Sequence, residues 1–440
     1  MQEDGKSIGL AVATAVGLGA IIGAGIFTLS GTAIALAGGW ALFSFVLVGL
    51  VAVMVALEIG ELCSIFPGLS GATYSYVYEA FGSELGFITG AFLYFSFASS
   101  ISVVALGFGS YLSNALGLSS RSDAVYLAIV LIAVLAAVNM QGIKKAARAD
   151  FGLVVVKMLI LLAVVVFALL TASRSGSATD FFALAPSKEG VAGIFAASVA
   201  VFFAYSGFQT ISTFVQDVKG GASAAARAIL SSVAISMVLY ILVAVSLLAL
   251  VPASRFVIDA DPLAFALSSA GAPTYFLTIV DIGALIATAS ASLALLLSSS
   301  RILRQISLDG LLPKLMRSYD EKRDVARNGV LISAVIGIAM IFSGNIFVIA
   351  AISNFGLLFS YLMASLAVVH FRRIKKAGSF RTPLYPYLPI AAMVAILAFI
   401  FGMPQEALVF GTVMVLALLI AYYAMREYEG KEPVKIRFFE

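Results

Sequence analysis

The chain has 440 residues, of which 62% are hydrophobic and only 11% charged, with a mean hydropathy of +1.08. That excludes a soluble globular protein, because no single core hides so much apolar surface from water. A formal charge of +4 and a pI near 9.0 would suit a nucleic-acid binder, but the basic residues are sorted by membrane side, and no nucleic-acid partner is expected.

Apolar windows of about 20 residues are candidates for spanning helices. They occur at 9–36, 40–66, 84–116, 124–140, 149–171, 190–217, 226–252, 273–301, 329–343, 346–369, 384–402 and 405–424. These twelve windows predict a single polytopic, all-α membrane domain over 1–440. The opening MQEDGKSIGL carries Glu3 and Asp4 against Lys6, and the apolar run behind it exceeds the roughly 7–15 residues of a signal-peptide core. It is read as the first span, although Ala35-Leu36-Ala37 mimics a cleavage site.

With the N-terminus inside, the outer loops hold only Arg121, Arg174, Lys188 and Arg255 among the basic residues. Lys157 falls within a span, and every other Lys or Arg falls on an inner segment. The positive-inside rule then places both termini in the cytoplasm; the cell membrane is the expected location. One cysteine, Cys63, excludes an intrachain disulfide, and one histidine, His370, speaks against a histidine-built metal site. No cofactor is expected.

Two spans are interrupted near their middles. The first holds Gly17, Gly19, Gly23 and Gly25 in GLGAIIGAGIFTLSG, and the sixth holds Gly207 in FFAYSGFQT. Each glycine costs about 1 kcal/mol relative to alanine inside a helix. Close helix packing is one use for such residues; unwinding of the backbone is the other. Paired interruptions at corresponding places point to an inverted-repeat transporter with its site at mid-depth. Unwound backbone survives in a bilayer only where it lines a cavity. A half-helix starting near Gly25 would offer N–H groups and a positive dipole end to a carboxylate, while carbonyls ending the preceding half-helices would suit an ammonium.

Lys157 lies in LVVVKMLILLAVVVFALL, with no acidic residue within six positions. A cation at mid-helix costs roughly 2.5–3.5 kcal/mol on insertion scales. It is nine residues beyond Arg148, about 13 Å along a helix, which is too deep for easy snorkelling. A fixed amine there can stand in for a metal ion against the carbonyls of helix 1, and can load and release a proton.

Weaker signals keep two readings each. Glu58 and Glu61, one turn apart at the inner end of helix 2, are either a gate with inner-loop arginines or interfacial charges. Asp281 is either a selector for cationic substrates or an interfacial aspartate. Phe92, Tyr94, Phe95 and Phe97 on helix 3 are read as packing or lipid-facing rings. Gly23 and Gly25 form no dinucleotide fingerprint, since no strand precedes them, and no P-loop is present. No enzymatic activity is expected.

The pieces GAIIGAGIF (19–27), ELCSIFPGLSGATYSYVYEAFG (61–82), FFAYSGF (202–208) and SSRILRQISLDGLLP (299–313) resemble the amino acid–polyamine–organocation transporter superfamily, which has the LeuT-type fold. The resemblance implies two inverted five-helix repeats, 9–171 and 190–369, followed by two helices at 384–424. It puts a substrate carboxylate on the N–H groups of Gly23, Ala24 and Gly25. The ammonium would meet carbonyls of Ile21, Phe203 and Ser206 beside Gly207, with Phe203 as an aromatic lid that gates the site, while Glu61 keeps its two readings, gate or interfacial charge. Lys157 resembles the fifth-helix lysine of the sodium-independent branch, set against the carbonyls of Gly19 and Ile22 with Thr288 of helix 8 as a hydroxyl partner. No sodium site is then expected, and protons are the expected coupling ion. Two residues depart from the family pattern: Ala24 replaces a hydroxyl residue, and Gln209 replaces an acid.

The expected function is sodium-independent amino acid transport by alternating access, with proton symport. An exchanger or facilitator without proton movement and a polyamine carrier are the alternatives within that class. A channel or receptor of the same architecture is the alternative outside it.

Overall fold

The computed structural model describes residues 8–67, 69, 72–118, 120–141, 146–175, 189–258, 260–321, 323 and 325–428. Both chain ends, and with them the expected cytoplasmic termini, lie outside the described residues, as do Lys6, Lys144, Lys145, Lys188, Lys322, Lys431, Lys435 and Arg437.

The helices in chain order are α1 (Leu10–Ile21), α2 (Ala24–Ala37), α3 (Ala41–Ile65), α4 (Ala72–Phe81), α5 (Ser83–Ala115), α6 (Arg121–Gln141), α7 (Ala146–Ser175) and α8 (Val191–Tyr205). A 3₁₀ segment, Phe208–Asp217, follows. Then come α9 (Gly221–Leu250), α10 (Pro262–Ser269), α11 (Thr274–Leu308), α12 (Arg327–Met340), α13 (Ile346–Arg373), α14 (Tyr387–Phe401) and α15 (Gln405–Tyr428).

Nine helices among the described residues are long and apolar enough to cross a membrane, and α1 with α2 make a tenth span bent by 47°. The shorter apolar helices α12 and α14 fall on the two remaining windows. The chain is an all-α, multi-pass membrane protein. Two short helices, α4 and α10, were not expected. Neither is an apolar stretch of membrane length, so hydropathy carries no signal for them.

Burial sorts the spans. The spanning windows of α5 and α13 are 78% and 83% buried, against 11% for α15. The first two form the centre, and the last faces outward along most of its length. Helices that are apolar on every side suit both positions, so sequence pattern alone does not separate them. Starts and stops follow local chemistry. Gly38 closes α2 with φ +64, its N–H donating to the Ile34 carbonyl at 2.7 Å, a positive φ that glycine adopts at least cost. Asn345 opens α13 by accepting from the Val348 N–H at 2.9 Å.

α2 packs closely on α8, and α1 packs on α9 and α7. α10 lies across the far end of α2, where a Cβ on Gly31 would stand 2.4 Å from Pro262 Cβ. This packing brings the two interrupted spans side by side.

Candidate substrate site

In the first span α1 ends at Ile21. The Gly23 N–H then turns back to the Ile21 carbonyl at 2.8 Å, leaving the i−4 pattern that would take it to Gly19. α2 restarts at Ala24, of which only the backbone is described, with Gly23 at φ −106 and ψ −136. The sixth span breaks differently. Ser206 is extended, Gly207 has φ +115, and the chain resumes as a 3₁₀ helix with the Thr210 N–H donating to the Gly207 carbonyl at 2.9 Å. The two breaks touch: a Cβ on Gly207 would stand 2.6 Å from the Ala20 carbonyl oxygen. On the far side of the breaks, a Cβ on Gly25 would stand 2.2 Å from Ala204 Cα.

Between them lies a cavity of about 50 Å³. Ile21, Gly23, Gly25, Phe203, Ser206 and Gly207, all expected at the site, line it. The remaining wall comes from α5, α11 and α13, including Ser96, Phe97, Ser100, Leu295 and Leu357. Phe97 therefore faces the cavity, where the sequence reading had it packing or facing lipid. Sequence pattern gave no signal for Ser96 or Leu357, because which face of a uniformly apolar helix looks inward is set by its neighbours.

Several expected contacts are already engaged. The Gly23 N–H is taken by Ile21, so the first-turn donors of α2 left without an intrahelical acceptor are those of Ala24, Gly25 and Ile26. The Ile21 carbonyl accepts both that N–H and the Tyr240 hydroxyl at 2.7 Å. The same hydroxyl lies 3.1 Å from the Ala204 carbonyl, so Tyr240 of α9 bridges both interrupted spans. The Phe203 carbonyl accepts from the Ser206 hydroxyl at 2.7 Å and from its N–H at 3.2 Å. Gln209, at the position that is acidic in many relatives of the resembled family, is buried; its Oε1 accepts from the Gly207 N–H at 3.1 Å and from the Tyr361 hydroxyl at 2.7 Å.

Lys157 is 0% exposed, so it does not snorkel to the interface. Its helix α7 packs on α1, α9 and α11. One turn away, Ile160 lies so close to α11 that a Cβ on Gly283 would stand 2.4 Å from its Cδ1. Lys157, Gly19, Ile22 and Thr288 are buried but are not among the residues lining the cavity. Thr288 donates its one hydroxyl hydrogen within its own helix, to the Ala284 carbonyl at 2.7 Å or the Leu285 carbonyl at 3.1 Å. It can therefore meet an amine only as an acceptor. Its methyl lies near that of Thr28, both beside Gly107 of α5.

Glu61 is buried in a clamp. Arg372 of α13 grips both its carboxylate oxygens, at 2.5 and 3.0 Å, and the Thr382 N–H donates to it at 2.8 Å. Glu58, also buried, accepts from the Ser365 hydroxyl at 2.5 Å. Glu61 thus pairs with an arginine in the last turn of α13. Asp281 borders a separate hollow of about 440 Å³ with Asn114 and Asp261. A second hollow of about 560 Å³ shares Asn114 and Asp261 with the first. Both lie at the end of α5: the first beside α10 and the start of α11, the second beside the starts of α6 and α13. At the opposite end of the bundle the Lys219 N–H donates to the Ile8 carbonyl at 2.8 Å, tying the chain's start to the end of the 3₁₀ segment.

A polytopic helix bundle with two broken spans meeting at a small central cavity defines a membrane transporter. The chain belongs to the amino acid permease family, whose pattern matches residues 8–425. It is 29% identical over 411 residues to the methylthioribose transporter of Bacillus subtilis, covering 89% of this chain and 87% of that one. It is 26% identical over 449 residues to the branched-chain amino acid permease BcaP of the same organism, covering 97% and 94%. A third relative, the cationic amino acid transporter 3 of Arabidopsis thaliana, is 26% identical, with 85% of this chain and 63% of that one covered. The family and these relatives are transporters, not enzymes.

Proposed function

We propose that the chain carries free amino acids across the cell membrane by alternating access, without sodium and coupled to protons, with both termini cytoplasmic. Its helices form two inverted halves, 9–171 and 190–369, with α14 and α15 appended. The substrate carboxylate sits on the first-turn N–H groups of α2, and its ammonium sits on carbonyls of the two breaks. The observation that carries this reading is the fully buried Lys157 on the helix packed behind the first break. A fixed ammonium there holds the loosened helix 1 backbone as a metal ion would, and it exchanges its proton as the breaks open to one side and then the other. The hollows at one end, set against the tie between Ile8 and Lys219 at the other, support a conformation opened toward one side only.

The test is uptake into proteoliposomes driven by a pH jump. Lys157→Ala abolishes pH-driven uptake while the protein still inserts; unchanged proton-dependent uptake in that variant overturns the coupling role. Counterflow separates a carrier from a channel or receptor, since only a carrier is stimulated by substrate on the far side. An exchanger shows counterflow with no response to the pH jump. Among the described residues, the cavity lining offers no carboxylate for a polyamine.

One observation favours a second reading. The Ile21 and Phe203 carbonyls are engaged by Tyr240 and Ser206, and a relative is named for methylthioribose, which has neither ammonium nor carboxylate. Under that reading the substrate is a neutral hydroxylated solute. Thermal stabilisation by methylthioribose and by none of the twenty amino acids would select it.

A further inference from the structure

Among the described residues, no charged side chain lines the cavity between the breaks. Its polar side chains are hydroxyls: Ser96, Ser100, Ser206, Thr210 and Ser298. A charged substrate side chain entering it would lose its water and gain no counter-charge, which is strongly unfavourable. The wall opposite the breaks adds the bulk of Phe97 and Leu295, so the room beyond the breaks suits a small neutral group.

The hydroxyls on that wall are not equivalent. Ser100 and Ser353 both reach the Ser96 carbonyl, at 2.7 and 2.8 Å, and their own oxygens are 2.6 Å apart. A contact that short between two hydroxyls needs a hydrogen between them, so these two satisfy each other and the carbonyl. Ser96 is different. The hydrogen bond made by its own hydroxyl is with that of Ser353 at 3.4 Å, longer than the roughly 2.5–3.0 Å of an ordinary O–H···O bond. Ser96 is thus the more loosely held hydroxyl of the three, and it stands at the cavity wall.

We propose that the substrate is a small neutral amino acid with a side-chain hydroxyl, serine or threonine, and that Ser96 reads that hydroxyl. This rests on the amino acid reading given above and narrows it. A pocket built to hydrogen-bond a hydroxyl discriminates against the isostere that lacks it, whereas a purely apolar pocket of the same shape barely separates the two. Threonine and valine, equal in shape, are the matched probes.

The experiment is competition by threonine, valine and arginine against labelled serine uptake in proteoliposomes. It is run on the native chain, on Ser96→Ala, and on Ser96→Cys, which keeps the side chain's size and loses most of its hydrogen bonding. In the native chain threonine competes about tenfold better than valine, and arginine does not compete. Both variants lower the threonine-to-valine ratio about five- to tenfold, the scale of one neutral hydrogen bond. Arginine competing as well as threonine overturns neutrality. A native ratio near one, or a ratio unchanged in both variants, overturns the role of Ser96. If Ser96→Ala fails to fold, the native ratio and Ser96→Cys decide. Valine taken up with no preference for threonine leaves the amino acid carrier standing and ends this narrowing; binding of no amino acid at all ends both.

Discussion

The two breaks look alike in sequence, yet they are built on different constraints. In the first span Gly23 keeps a negative φ, and the neighbour that forbids a side chain is the Ala291 methyl, 2.8 Å from where a Cβ would stand. In the sixth span Gly207 sits at φ +115, and the obstacle is the backbone oxygen of Ala20. One glycine is required by a side chain that can be exchanged; the other is required by backbone on both counts. Glycine clusters in a membrane helix are therefore not a single signal, and only the partner across the gap tells which kind is present.

Mutations separate the two cases. The largest effect is expected for Gly207→Ala. A non-glycine residue at a sparsely populated positive φ costs about 1–3 kcal/mol, and the clash with Ala20 adds to it, so thermal stability in detergent drops and uptake is lost. No change of side chain at position 20 restores either. A stable, active Gly207→Ala would show that the sixth span unwinds for some other reason. Gly23→Ala is expected to be milder, about 1–3 kcal/mol for overpacking. The pair Gly23→Ala with Ala291→Gly recovers most of that loss in melting temperature. If the double variant melts no higher than the single one, the contrast between the breaks is wrong. Tyr240→Phe is the smallest, about 0.5–1.5 kcal/mol for one hydrogen bond, and tests whether the bridge between breaks matters. Unchanged melting and uptake would mean that each span holds its shape alone.

The sequence made the membrane class, the windows and the places of the breaks readable, because hydropathy and glycine are local signals. Lys157 was readable because the cost of a buried cation depends only on depth. What escaped depends on contacts between distant segments. Ser96 meets Ser353 across 257 positions, and Tyr240 meets Ile21 across 219; no periodicity within one helix points to either. Thr288 falls between the two cases. Its place on α11 suggested a hydroxyl partner for the lysine, and which way that hydroxyl points became visible only in three dimensions: a buried threonine in a helix has its own preceding carbonyl within reach and donates to it. Gln209 was noticed as a departure from the family, but its bond to Tyr361 needed the three-dimensional partner.

The clamp on Glu61 has a mechanical consequence for the end of the chain. Ser64 accepts from the Phe380 N–H at 3.1 Å while donating to its carbonyl at 2.9 Å, and the Thr382 hydroxyl donates to the Leu57 carbonyl at 3.2 Å. The connector leading into α14 is thus stitched along the last two turns of the second span. Truncation after α13 would strip a buried carboxylate of its amide donor as well as removing two helices. Any displacement of the C-terminal tip of α3 would therefore pull on the connector that leads into α14, coupling that helix to the second span.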